Sequence, residues 1–165
     1  MKEIVDNTNQ IWELLETISD PEIPVLSIVD LGVVREVHVE DDKVRVDITP
    51  TYSGCPAMNM IEAEIRAVLA ENNIPADVKL VLSPAWTTDW MSENGKKKLR
   101  AYGIAPPQDE PITVQTLFGK PEKIECPHCG GNNTELVSQF GSTACKALYK
   151  CLDCLEPFDY FKCHR

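Results

Sequence analysis

Two Cys-x-x-Cys motifs near the C-terminus constrain the fold of this chain more than any other feature of its sequence. They are Cys126-Pro127-His128-Cys129 and Cys151-Leu152-Asp153-Cys154, and 21 residues separate them. A gap of two residues lets both thiolates of a motif face one ion, and two motifs together complete a tetrahedral shell of four sulfurs. Short stretches of β-forming residues lie between and after the motifs. The pattern predicts a zinc ribbon in which Cys126, Cys129, Cys151 and Cys154 are the metal ligands.

Zinc is the ion that we expect in this ribbon, although tetrahedral sulfur also suits a single iron or an iron-sulfur cluster. Six of the seven cysteines lie in the last 40 residues, and without an export signal such clustering favours metal over disulfides. The segment has too few apolar residues for an independent core, so metal should supply much of its folding free energy. The remaining interpretation is that the four motif cysteines are structural thiols that bind no metal. An iron-sulfur cluster or a second metal remains an alternative, because four further residues of this segment could bind metal: Cys145, Cys163, His128 and His164.

The composition of the chain excludes several classes of function. A net charge of -10 argues against nonspecific nucleic-acid binding, which requires clustered Lys and Arg. No apolar run reaches the ~18 residues needed to span a bilayer. The N-terminal residues show no basic patch followed by an apolar segment, as a secretory signal would. We therefore expect a soluble, cytoplasmic protein with neither a nucleic-acid nor a membrane partner.

A proline-rich stretch marks a domain boundary. Three prolines fall within residues 105–111, where they prevent helix continuation and favour an extended spacer. The sequence predicts a front domain over residues 1–105, a Pro-rich linker over 106–124 and the ribbon over 125–165.

Apolar periodicity predicts that the front domain is a small α+β domain. Helices are expected at about residues 8–19, 55–73 and 92–102. Strands are expected at residues 33–39, 44–48 and 78–82. The first two strands form a hairpin, and a right-handed crossover places the third parallel to the second. The expected fold is a three-stranded sheet packed with helices, followed by a small metal-stabilised β domain.

Cys55 is the one cysteine of the front domain, and it lies at the predicted start of the second helix. Free N–H groups and the helix dipole favour a thiolate there, so Cys55 is either a reactive or metal-binding thiol or a buried structural cysteine. One thiol cannot hold a cluster, so further ligands would come from a second subunit, a partner protein or the ribbon segment. The nearby carboxylates of Asp20, Glu22 and Asp30 are explained equally well by capping and turn formation.

Three other side chains bear on function. His38 falls among outward polar positions of a predicted strand and is expected to be solvated, so the sequence provides no general base for a hydrolase or thiol transferase using Cys55. Trp86 and Trp90 lie four residues apart in a turn-rich segment. They either pack the last helix against the sheet or form an exposed aromatic patch for a partner.

The front domain resembles the metal-sulfur cluster assembly domain family, formerly a domain of unknown function and typified by iron-sulfur targeting factors. The matching segments are Asp20-Pro21-Glu22-Ile23-Pro24, Ser27-Ile28-Val29-Asp30-Leu31-Gly32, Thr49-Pro50-Thr51 and Ser53-Gly54-Cys55-Pro56-Ala57-Met58. Residues 84–91, residues 103–107 and the four-cysteine segment resemble the branch of this family that acts in phenylacetate degradation. The resemblance then covers nearly the whole chain.

This resemblance implies a role beside the multicomponent oxygenase that epoxidises phenylacetyl-CoA. The implied function is a non-enzymatic maturation factor that assists assembly or delivery of iron or an iron-sulfur cluster, with the oxygenase and reductase components as partners. By position, Cys55 matches the family's single reactive cysteine, and Asp20, Glu22, Asp30 and Thr51 lie in the matching segments. Structural zinc and a transient iron or iron-sulfur cluster are the implied cofactors, and a homodimer is one source of further ligands. The alternative is an accessory subunit that does not handle metal in transit.

Overall fold

The computed structural model describes residues 8–40, 42–108 and 123–162. The chain divides after Gly95 into two compact units. The first contains a three-stranded sheet and the second a four-stranded sheet. The α+β fold class predicted from the sequence is confirmed. Within the described ranges, no helix is long and apolar enough to cross a membrane.

The first unit follows the predicted order of helices and strands. Its elements are α1 (Thr8–Glu16), β1 (Val34–Val39), β2 (Val44–Ile48), α2 (Ala57–Glu71), β3 (Ala76–Leu80), a short 3-10 helix (Thr88–Trp90) and the start of α3 (Glu93–Tyr102). β1 pairs antiparallel with β2, and β2 pairs parallel with β3. The predicted hairpin and parallel crossover are therefore both confirmed, with α2 as the crossover helix.

The core of this unit is formed by the apolar positions that set the sequence periodicity. From α1 and α2, the side chains of Ile11, Leu15, Ile61, Ile65 and Leu69 are at most 1% exposed. β2 contributes Val44, Val46 and Ile48, which are equally buried. Because successive side chains of a strand point to opposite faces, the intervening Arg45 and Asp47 lie on the other, polar face of the sheet.

The open edge of β3 is protected by an arginine from α2. Arg66 donates hydrogen bonds to the carbonyl oxygens of Ala76 at 3.1 Å and Val78 at 3.5 Å. Unpaired strand edges promote aggregation, and a charged side chain on the edge counters this.

The second unit contains the ribbon. Its strands are β4 (Ile104–Ala105), β5 (Thr134–Ser138), β6 (Lys146–Cys151) and β7 (Pro157–Phe161), in the spatial order β4-β7-β6-β5. The three strands expected around the cysteine motifs are present. The sequence did not predict β4, which pairs parallel with β7. The proposed boundaries at 1–105, 106–124 and 125–165 stay predictions, and residues 109–122 of the linker lie outside the described residues.

The ribbon has a small core that includes two of the motif cysteines. Tyr149 stacks on Phe158 with ring centroids 5.9 Å apart and meets Tyr160 edge-on at 5.7 Å. The buried cluster consists of Ala105, Ile124, Cys126, Ala147, Tyr149, Cys151, Phe158 and Tyr160. Ala105 of β4 thus belongs to the same core as the ribbon strands.

Candidate functional site

The four motif cysteines of the ribbon converge, and their sulfur atoms all lie within 4.8 Å of one another. The Sγ atoms of Cys126 and Cys154 are 3.8 Å apart, and those of Cys129 and Cys151 are 3.6 Å apart. Four sulfurs at ~2.3 Å from a tetrahedral zinc ion lie about 3.8 Å from one another. The donor set therefore fits zinc, and the separations are far longer than the ~2.05 Å of a disulfide.

Each cysteine motif closes with the same backbone hydrogen bond. The N–H of Cys126 donates to the carbonyl of Gly131 at 2.9 Å, and the N–H of Cys151 donates to the carbonyl of Glu156 at 3.0 Å. The residue after each second cysteine has a left-handed backbone, with φ of 75° at Gly130 and 66° at Leu155. The two motifs are therefore equivalent turns, which brings all four thiols to one point.

Backbone amides face the sulfurs, as the spacing of the motifs predicts. The N–H of Gly131 donates to Cys129 Sγ at 3.4 Å. The pKa of Cys151 is lowered to about 7, chiefly because the backbone N–H of Cys154 donates a hydrogen bond to its sulfur. The thiolate is the form of cysteine that binds metal, and these amides favour it. Backbone amides also act on Cys129 and Cys154, but burial and the neighbouring thiols outweigh them and raise the pKa of both, that of Cys154 to about 12.

The additional ligand candidates that the structure describes in this unit, Cys145 and His128, do not join the four sulfurs. Cys145 is buried, and its sulfur lies 3.0 Å from Thr143 Oγ1. The imidazole of His128 lies beside Gly103, where an added Cβ would come within 3.1 Å of its Cε1 atom. Cys163 and His164 lie outside the described residues. Within the described part of the ribbon, the geometry therefore supports one metal site with four ligands.

Cys55 lies in the loop between β2 and α2. It precedes Pro56, which occupies the N-cap position, and α2 begins at Ala57. The prediction that the helix starts at Cys55 is therefore wrong by two residues. Pro56 has no side chain that can cap the helix, and the Cys55 sulfur instead accepts a hydrogen bond from the N–H of Ala57.

The pKa of the Cys55 thiol is raised above its usual value, although a helix start by itself favours the thiolate. Burial is the main cause, because it removes the charged form from water. The negative charges of Glu22 and Asp20 act in the same direction. The hydrogen bonds from the Ala57 amide and the Tyr52 side chain oppose these effects but do not outweigh them. The helix end stabilises the thiolate as predicted, yet desolvation dominates.

Three of the predicted neighbours of Cys55 lie in its own loop or act on its thiol. Asp20 and Glu22 are close enough for their charges to act on the thiol. Asp20 also builds its own loop, since its Oδ1 accepts the N–H groups of Glu22 at 2.9 Å and Ile23 at 2.8 Å. Thr51 is half-buried in the same loop as Cys55.

Asp30 has a structural role at the start of α3. Its Oδ1 accepts hydrogen bonds from Ser92 Oγ at 2.5 Å and from Asn94 Nδ2 at 3.4 Å. Ser92 Oγ in turn accepts the N–H of Gly95 at 2.9 Å. These contacts join two segments that are far apart in the sequence.

Sequence reasoning missed Tyr52 as a neighbour of Cys55. The N–H of Cys55 donates to the Tyr52 carbonyl at 3.2 Å, and this turn brings the tyrosine side chain to the sulfur. Tyr52 lies three residues before Cys55, and a turn through Gly54 at that spacing was the signal available in the sequence.

The two tryptophans do not form one exposed patch. Trp86 is 4% exposed, and its Nε1–H donates to the carbonyl of Leu31 at 3.0 Å. Trp90 is half-buried, with the guanidinium of Arg35 lying 3.2 Å from the ring centroid. Packing within the unit therefore accounts for the whole Trp86 side chain and for part of the Trp90 side chain.

An α+β domain with one cysteine before a helix, joined to a four-sulfur ribbon, defines the class as a small accessory protein with a structural metal module. A family model described as iron-sulfur cluster assembly protein matches residues 8–81, and one described as PaaD zinc beta ribbon domain matches residues 110–162. This chain belongs to the iron-sulfur cluster assembly protein family, in the group whose members carry the PaaD zinc ribbon.

Individual relatives agree with this assignment. An Escherichia coli K12 protein, named as a putative subunit of 1,2-phenylacetyl-CoA epoxidase, is 49% identical over 94% of this chain and 92% of its own length. The Fe-S protein maturation auxiliary factor SufT of Staphylococcus aureus is 44% identical over 47% of this chain and 90% of its own length. A crystal structure of a domain of unknown function from Bacillus anthracis superimposes with a TM-score of 0.52 at 30% identity, covering 55% of this chain and 89% of that domain. These relatives are named as a subunit of a larger enzyme and as a maturation factor, which agrees with the expected accessory, non-enzymatic role.

Proposed function

We propose that this protein is a maturation factor of a phenylacetyl-CoA epoxidase system, which assists assembly or delivery of iron or an iron-sulfur cluster during phenylacetate catabolism. Membership of the iron-sulfur assembly family supports the metal-handling part of this proposal. The identity of 49% to an epoxidase subunit supports the choice of client. The oxygenase and reductase components of the epoxidase are the proposed partners, and the cytoplasm is the proposed location.

The observation that carries the proposal is the environment of Cys55. Its sulfur lies in a loop at the start of α2, beside the Ala57 amide and the Tyr52 side chain, with Glu22 and Asp20 near it. In our proposal Cys55 is a transient ligand for the cargo metal, and the carboxylates of Glu22 and Asp20 add negative charge that attracts a cation. Asp30 and Thr51 hold the surrounding loops. A second subunit of a homodimer or the client supplies the remaining ligands.

The raised pKa of Cys55 determines how cargo would bind. At neutral pH the thiol carries its proton, so binding of iron must release that proton. Cargo affinity should then increase with pH up to the pKa of the thiol. A thiol that is protonated when empty is also protected from oxidation, because the thiolate is the reactive form.

The ribbon supplies a second, structural function in this proposal. Zinc bound by Cys126, Cys129, Cys151 and Cys154 would hold the strands together, since the buried cluster described for the ribbon is small and two of its eight residues are ligands. Zinc has no redox chemistry. The ribbon is accordingly proposed as a docking module for the client rather than as a carrier of the cargo.

The raised pKa also favours one alternative function. A half-buried, protonated thiol is a poor metal ligand at rest, and this agrees with an accessory subunit that binds the assembled epoxidase without handling metal in transit. Cys55 would then be a packing residue of the loop.

Metal analysis of variants separates the two functions. Protein purified without oxygen as wild type, Cys55→Ser and Ser53→Ala should be assayed for zinc, iron and sulfide per chain. Each variant should also be tested for restoring the iron content and activity of the epoxidase in cells that lack this protein. Ser53 is exposed and lies two residues from Cys55, so Ser53→Ala is a matched control. A maturation factor requires that Cys55→Ser alone loses the iron and the restoration. Full restoration by Cys55→Ser would support the accessory subunit.

A further inference from the structure

A group of metal-binding side chains lies on the polar face of the β1-β2 hairpin, in the first unit. Glu36 and His38 are two residues apart on β1 and share one face of the strand. Asp47 of β2 is the register partner of Glu36. The three side chains are therefore brought together by the pairing of β1 with β2.

The distances between these side chains match a metal site. His38 Nε2 lies 3.0 Å from Glu36 Oε2 and 3.5 Å from Asp47 Oδ2. One donor atom from each of the three residues falls within 4.8 Å of the other two. Ligands bound at ~2.1 Å from one ion lie about 3.0 to 3.5 Å apart. Both separations from the His38 nitrogen fall in this range, so one ion can bridge the imidazole and the two carboxylates.

The ring nitrogen of His38 has no hydrogen-bond partner among the described residues, although it is shielded from solvent. Its contacts with the carboxylates of Glu36 and Asp47 are ion pairs only when the imidazole is protonated. A shielded polar atom without a partner costs free energy. An ion between the nitrogen and the two carboxylates would remove that cost.

A neighbouring arginine orients the buried carboxylate. Arg45 Nε lies 3.2 Å from Asp47 Oδ1, and its Nη1 lies 3.5 Å from Glu40. Asp47 Oδ1 is thereby engaged, and Oδ2 faces His38. Hydrogen bonds of this kind fix the orientation of metal ligands and contribute to affinity.

We propose that Glu36, His38 and Asp47 form a second metal site, which binds a divalent transition ion through one nitrogen and two oxygen donors. Imidazole and carboxylate ligands suit zinc or ferrous iron, whereas the ribbon offers sulfur alone. Three protein ligands leave at least one coordination position for water, and Glu36 is exposed, so the ion would exchange readily. This site does not depend on the proposed maturation function.

Calorimetric titration with Zn²⁺ tests the site in the full chain with its ribbon already loaded. We expect the wild type to bind one further ion. His38→Ala and Glu36→Gln should weaken that binding at least about tenfold, while Glu64→Gln, which changes an exposed carboxylate on α2, should not. Failure of the wild type to bind a further ion, or unchanged binding by His38→Ala, would overturn the proposal.

Spectroscopy with Co²⁺ provides a readout that a change in folding cannot imitate. Cobalt bound by sulfur shows intense charge-transfer absorption, and cobalt bound by nitrogen and oxygen shows only weak visible bands. We expect Co²⁺ added to the zinc-loaded chain to give weak bands alone, and His38→Gln to abolish them. Charge-transfer bands from the added ion would assign it to the cysteines and refute the hairpin site. Circular dichroism of each variant verifies the fold, and His38→Gln replaces His38→Ala if the latter does not fold.

Discussion

The two turns that bear the cysteine ligands have different residues at the position with the left-handed backbone. Gly130 follows the first motif with φ of 75°, and Leu155 follows the second with φ of 66°. Glycine adopts this conformation readily, but for a side chain with a Cβ atom it costs roughly 1–2 kcal/mol. Leu155 is 66% exposed, so its packing offsets little of that strain.

Replacing Leu155 with glycine should therefore stabilise the ribbon. We expect Leu155→Gly to increase its free energy of unfolding by about 0.5–1 kcal/mol, the relief of strain less the greater flexibility of glycine in the unfolded chain. The measurement is urea-induced zinc release, followed with a coloured chelator. Leu152→Gly is the control, because Leu152 is exposed but has no positive φ. An equal gain from both substitutions would show that backbone strain is not the cause.

The Cys55 thiol should react slowly at neutral pH. Its raised pKa leaves less thiolate than a small free thiol has, and alkylation proceeds through the thiolate. We expect the rate of iodoacetamide modification to reach its half-maximum above pH 9.0, which is the ordinary pKa of a cysteine thiol. Mass spectrometry of the Cys55 peptide distinguishes it from the ribbon cysteines.

Two variants test the causes of that raised pKa. Glu22→Gln removes a negative charge and should move the alkylation profile toward lower pH, whereas Tyr52→Phe removes a hydrogen bond and should move it further up. Modification of the folded wild type faster than of a small free thiol would contradict this prediction.

The sequence predicted residue roles best where spacing alone decides them. The four motif cysteines were identified from two short gaps, because a Cys-x-x-Cys turn converges within itself. The sequence left the state of Cys55 open, because the burial of its sulfur and the nearby charge of Glu22 depend on residues distant in sequence. Asp30 as a possible pocket neighbour of Cys55 stays a prediction, and its carboxylate accepts hydrogen bonds from Ser92 and Asn94. Neither contact is encoded in a local pattern.

At the scale of elements, the close approach of two loops constrains the first unit. A Cβ atom added to Gly32 would lie 2.4 Å from the backbone oxygen of Trp90, and its φ is 76°. Gly54 has nearly the same φ of 78°, but nothing lies within 4 Å of an added Cβ. A comparison of the two glycines therefore separates the cost of a steric contact from the cost of the backbone conformation.

Gly32→Ala should destabilise the first unit much more than Gly54→Ala. We expect a loss of about 2–4 kcal/mol for Gly32→Ala, from strain plus a contact that the backbone of Trp90 cannot relieve cheaply. Gly54→Ala should lose about 1 kcal/mol, from strain alone. Circular dichroism during thermal unfolding measures both. Equal losses would mean that the loop of Trp90 moves aside.

Periodicity predicted every element of the first unit that has a buried apolar face. The hairpin, the parallel β3 and the three helices follow from alternation and helical spacing. The helix boundaries were less accurate, since α2 begins two residues after its predicted start and α1 ends three residues before its predicted end. β4 was missed because two residues carry no periodicity, and its formation depends on pairing with β7.

At the scale of the whole molecule, the dependence on metal should differ between the two units. The first has its own buried helices and strands, whereas the ribbon core includes Cys126 and Cys151 themselves. Removing the ion leaves four thiols within 4.8 Å without a ligand to bridge them. Because binding of structural zinc is coupled to folding, the ribbon should unfold on chelation and the first unit should not.

Hydrogen exchange after chelation tests this difference, and it also tests whether β4 unfolds together with the ribbon. We expect amide exchange to accelerate in β5, β6 and β7, and in Ile104 and Ala105, because β4 pairs with β7 and Ala105 lies in the ribbon core. Exchange in α1, α2 and β2 should stay unchanged. Protection that persists at Ile104 and Ala105 while β7 exchanges freely would place the domain boundary after residue 105, as the proline-rich stretch predicts. Faster exchange in α2 would instead show that the first unit also requires the metal.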